Sequence, residues 1–90
     1  MANHKSALKA ARKAAARALR NKMWKSMVKT AVRKVREAIA AGNVAEAQVL
    51  LSKAFKVIDK AASKGVLHAN TAARKKARLA RKLAALQKSA

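Results

Sequence analysis

Large apolar side chains are scarce in the first twenty residues and then recur with helical spacing almost to the end of the chain. Trp24, Val28, Ala31, Val35, Ala38 and Ile39 follow one another at intervals of mostly three and four, the spacing that brings one side of an α-helix against a core. Val44, Ala47, Leu51, Ala54, Ile58 and Ala61 repeat the pattern, with Phe55 beside them, and Ala72, Leu79, Leu83 and Leu86 make a third stripe. There is no proline, and the two glycines fall between the stripes. In "AAGNVAEAQ", Gly42 suits the first position past a helix end. Asn43 then suits an N-cap, with Glu46 three residues on, close to a capping box. In "SKGVLHANTAAR", Gly65 ends a second helix and Asn70 or Thr71 caps a third. The pattern predicts helices over about 5–41, 44–64 and 71–88.

Short connections make successive helices antiparallel, so the expected fold is all-α: a three-helix bundle within a single domain, 1–90. The first helix is too long for its partners, because a partner of about 20 residues covers only about 30 Å of it. Residues 24–41 meet the bundle, while residues 5–22 project beyond it. The division expected is a basic arm at 1–22 and a bundle at 23–88.

The arm differs from the rest in what it lacks. "MANHKSALKAARKAAARALRNK" holds seven basic residues, no acidic one, and only Leu8 and Leu19 as large aliphatic side chains. Alanine and lysine favour helix, yet a helix is normally held by an apolar face. At about 100° per residue, Lys9, Arg12, Lys13, Arg17 and Arg20 fall within an arc of roughly 140°. Such a helix packs against a ligand and frays without one. The third helix carries a second strip. Arg74, Lys75, Arg78, Arg81, Lys82 and Lys88 span roughly 140°, separate from the roughly 60° arc of its apolar residues. Lys76 borders that apolar arc, where its stem can run outward along it.

Charge sharpens this picture. The chain has 23 basic and 3 acidic side chains, a net charge of +20. Residues 1–36 hold 12 bases and residues 60–90 hold 9, neither with an acid, whereas Glu37, Glu46 and Asp59 share the middle with only Lys53 and Lys56. Self-repulsion of this size disfavours a compact free chain, and a polyanion relieves it. Cations every three to four residues on one helix face can meet successive phosphates and release counterions. Arginine adds bidentate phosphate contacts and stacking on unpaired bases. Neither strip contains the Asn or Gln that reads base edges in duplex DNA, and surface aromatics are few. The expectation is recognition of backbone and shape.

Other chemistry finds little footing. Cysteine is absent, and His4 and His68 have no acid at ligand spacing, so no metal site is expected. The acids are too few and too spread for a carboxylate pair, and there is no glycine-rich phosphate loop or nucleophile triad; no enzyme and no cofactor is expected. No apolar run approaches a membrane span, and the N-terminus lacks the apolar segment of a secretory signal. Trp24 can stack on a base, but its place in the stripe assigns it to packing, as with Phe55. Met27 fills the core edge. His68 is suited equally to a loop carbonyl and to a phosphate. The general alternative for such a composition is a histone-like nucleoid DNA-binding protein.

"MANHKSALK", "LRNK", "KTAVRKVREAIAAG" and "LSKAFKVIDKAASKGVLHANTAARKKARLARKL" occur in this order along essentially the whole chain. Together they resemble the family of bacterial small-subunit ribosomal protein twenty, most specifically in "KGVLHANTAARKKARLARKL". The resemblance implies a three-helix bundle with an extended first helix and a structural role in the cytoplasmic small ribosomal subunit of a bacterial-type ribosome. It implies direct binding to 16S rRNA during assembly, with other small-subunit ribosomal proteins as neighbours. Carried over position by position, it implies an RNA-facing set of Asn3, His4, Lys5, Ser6, Lys9, Arg20, Asn21, Lys22, Asn70, Thr71, Arg74, Lys75, Lys76, Arg78 and Lys82. Met23, Trp24 and Met27 stand where that family is expected to be smaller or more polar.

Overall fold

A computed structural model describes the backbone of residues 2–89 and the side chains of residues 5–89; Asn3 and His4 therefore lie outside the described side chains. Three helices follow one another: α1 (Ala2–Ala40), α2 (Val44–Ser63) and α3 (Ala69–Ser89). They form an elongated bundle with principal extents of 69 × 21 × 14 Å. The extended first helix expected from the sequence is present: α1 has 39 residues against 20 in α2 and 21 in α3.

The core follows the stripes. Val28, Val35 and Ala38 of α1, Ala47, Ala54, Ile58 and Ala61 of α2, and Ala72, Leu79 and Leu83 of α3 are buried. Half of these ten are alanine, so the helices approach closely and the core is thin. Ala47, Ala54 and Ala61 recur every seven residues, each with no exposed surface, and form a small-residue seam along α2. Trp24, Ala31, Ile39 and Leu51 are half-buried against the core, joined by Val32, Leu50, Val57, Val66 and Leu67, which the stripes did not include. Phe55 departs from expectation. It is half-buried, because it sits one position, about 100°, round α2 from Ala54.

Both connections close in the same way. Gly42 and Gly65 each adopt φ of +76°, the left-handed conformation in which glycine ends a helix. The residue after each glycine donates back five positions, Asn43 N–H to the Ala38 carbonyl and Val66 N–H to the Ala61 carbonyl, at 3.0 and 2.9 Å. Asn43 then caps α2, its Oδ1 accepting from the Glu46 N–H at 3.2 Å. The reciprocal arm of a capping box does not form, because the Asn43 N–H is already given to Ala38. The Glu46 carboxylate instead accepts from the Asn43 side-chain amide at 3.0 Å.

The cap of α3 corrects the sequence expectation. Neither Asn70 nor Thr71 is the N-cap. His68 holds that position: its carbonyl accepts the Ala72 N–H at 3.0 Å, and its Nδ1 accepts the Asn70 N–H at 3.1 Å. The helix starts earlier because a neutral imidazole nitrogen can serve the first turn as a carboxamide or hydroxyl oxygen would.

Candidate nucleic-acid interface

Along α1, every residue from 5 to 20 is exposed, and among the described residues the first buried side chain is Val28. The overhang is not a separate element, since one unbroken helix runs from Ala2 to Ala40. Lys9, Arg12, Lys13, Arg17 and Arg20 on the overhang point, on average, within about 45° of the stripe formed by Trp24, Val28, Ala31, Val35 and Ala38. The side of α1 that is apolar inside the bundle thus becomes cationic beyond it, while alanines occupy the opposite side. Lys5, Ser6 and Lys22 are exposed on the same overhang, and Asn21 is half-buried at its root.

On α3, Arg74, Arg78, Arg81 and Lys82 are exposed and Lys75 is half-buried. Asn70 is exposed and Thr71 half-buried in the first turn. Lys76 is set apart from the strip. Its Nζ lies 2.8 Å from the Asp59 carboxylate and 5.6 Å from the centroid of the Phe55 ring. Its charge is therefore engaged within the protein.

The strip of α3 also has a partner that the sequence reading missed. Lys25, Lys29, Arg33 and Arg36 of α1 line a groove of about 710 Å³ with Lys75 of α3 and Leu67 of the connection. Farther along, Arg36 and Lys75 share a depression of about 310 Å³ with Arg78, Arg81 and Lys82. The cations of α1 recur at 25, 29, 33 and 36, which is the spacing of a single helix face. That signal was available, but which side of α1 meets α3 is a tertiary fact.

Each acid is occupied within the protein. Glu37 lies 3.8 Å from Arg33, Glu46 accepts from Asn43, and Asp59 pairs with Lys76. Among the described residues, Arg33 and Lys76 are the cations with a carboxylate at ion-pair distance. The overhang and the α1–α3 groove therefore present positive charge with almost no internal neutralisation, and the exposed Arg33–Glu37 pair contributes little.

A thin, alanine-rich bundle with an overhanging basic helix defines a small, strongly cationic all-α protein suited to lie against a polyanion. The chain belongs to the Ribosomal protein S20 family, whose model matches residues 2–84. It is 60% identical over 84 residues to the small ribosomal subunit protein bS20 of Symbiobacterium thermophilum, covering 93% of this chain and 86% of the relative. It is 49% identical over 86 residues to the bS20 protein of Desulfatibacillum aliphaticivorans, covering 96% and 98%. It is 52% identical over 89 residues to that of Thermobifida fusca, covering 99% and 97%. The protein is thus a component of the small subunit of a bacterial ribosome, in a family of structural proteins and not of enzymes. No helix among the described residues is long and apolar enough to cross a membrane.

Proposed function

We propose that the protein binds 16S rRNA directly, through the arm at 1–22 and the cationic surfaces of α1 and α3, and stabilises the RNA fold during subunit assembly beside other ribosomal proteins. The observation that carries this reading is the overhang: residues 5–20 are exposed throughout, and their cations continue the bundle-facing side of α1 with no acid among them. A helix of this kind gains its tertiary partner on binding. Phosphates that approach these cations are neutralised, and the protein's own repulsion is relieved in the same step.

The test is competition binding at near-physiological salt, with labelled 16S rRNA challenged by excess transfer RNA and excess duplex DNA. The complex is expected to survive both. Displacement by duplex DNA mole for mole would instead support the nucleoid alternative. With 6–10 phosphates contacted, affinity should fall by about 10³–10⁵ between 50 and 200 mM salt. Replacing Arg12 and Arg17 by glutamine should flatten that slope by about two phosphates' worth, whereas Lys53→Gln on α2 should leave it unchanged.

A further inference from the structure

Where α1 leaves the bundle, its cationic overhang lies beside the α2–α3 connection. Arg17, Arg20, Asn21 and Trp24 of α1 and Lys64 and Val66 of the α2–α3 connection line a concave notch of about 320 Å³. Small-ligand clefts begin at about 300 Å³. Trp24 forms its floor. The indole is half-buried, packed on one side against the core, and the Lys64 ammonium lies 5.6 Å from its ring centroid. The notch therefore combines one aromatic face, one carboxamide and three cations, with no carboxylate among its lining residues.

The chemistry of this set selects among ligands. A bare phosphate would use the cations and leave the indole idle. An apolar side chain would use Trp24 and Val66 but desolvate three cations without a counter-charge. Paired bases in a duplex stay stacked on their neighbours and cannot reach the floor. An unpaired nucleotide uses every component: its base stacks on the ring, its edge meets the Asn21 amide, and its phosphate draws the cations. Lys64 is exposed, and its flexible stem lets the ammonium leave the ring for the phosphate as the base arrives.

We propose that the notch receives a single unpaired nucleotide of the bound RNA, stacked on Trp24 and held by Arg17, Arg20 and Lys64. The inference rests on the RNA-binding reading above and adds to it a residue-level receptor. Trp24 is the only tryptophan and the chain has no tyrosine, so intrinsic emission reports on this notch alone. The full chain is titrated at fixed salt with a short oligoadenylate and with an RNA duplex of equal phosphate number. Binding is followed in parallel by the anisotropy of labelled RNA. Oligoadenylate should quench the emission about twofold or more, with the midpoint of its anisotropy curve, whereas the duplex should bind with little quenching. Trp24→Leu keeps an apolar side chain against the core. It should weaken oligoadenylate binding about tenfold and leave duplex binding unchanged, with helicity by circular dichroism as the control. Equal quenching by both RNAs, or bound oligoadenylate without quenching, overturns the receptor and leaves the RNA-binding reading standing. Absence of oligoadenylate binding at low salt also overturns the receptor, whereas the RNA-binding reading falls only if labelled 16S rRNA itself fails to bind.

Discussion

The imidazole of His68 accepts the Asn70 N–H through Nδ1, so the neutral ring carries its proton on Nε2. Substitution tests this directly. His68→Ala leaves a first-turn N–H of α3 without its partner and should lower stability by about 1 kcal/mol in urea denaturation, while His68→Asn should retain most of it. An alanine variant as stable as the parent would show that water caps the helix equally well. Residues differ in how far the sequence reveals them. Gly42 and Gly65 were legible because a helix end that needs positive φ is a local requirement. His68 was not, because histidine is an uncommon cap and Asn70 and Thr71 are favoured ones standing close by. Lys76 was half-legible: its border position showed in the spacing, its pairing with Asp59 only in the fold.

Among the helices, α2 has the most fully buried residues. Ala47, Ala54 and Ala61 have no exposed surface, and a larger side chain there must push a neighbouring helix away. Ala54→Leu should destabilise the bundle by about 1–3 kcal/mol despite its added apolar area, measured as the midpoint of thermal unfolding. A rise in the midpoint would mean that the seam has room to spare. The stripes themselves were readable, since periodicity depends on one helix at a time. The groove between α1 and α3 was not. Lys25, Lys29, Arg33 and Arg36 form a clear helical row, but its meaning depends on where Lys75 and Arg78 come to lie. The notch at Trp24 was hidden for the same reason, because it joins residues 17–24 to residues 64–66.

For the molecule as a whole, a charge of +20 is spread over a body 69 Å long and 14 Å thin, so few cations are shielded from solvent or from one another. Salt should therefore act in opposite directions on two properties. Raising it from about 10 mM to about 150 mM shortens the screening length from about 30 to about 8 Å, and the midpoint of thermal unfolding of the free protein should rise. Over the same interval its affinity for RNA should drop steeply. If unfolding proved insensitive to salt, self-repulsion would not be what limits the free chain. The unbroken helix from Ala2 to Ala40 has one more consequence. It acts as a shaft that keys the direction of the overhang's charges to the bundle, so reach and rotation can be altered separately. One alanine inserted between Lys22 and Met23 turns the outer cations by about 100° while lengthening the shaft by only about 1.5 Å. Seven inserted residues displace them by about 10 Å but leave them within about 20° of their original bearing. If the RNA reads bearing before reach, the short insertion should be the more damaging of the two when 16S rRNA affinities are compared.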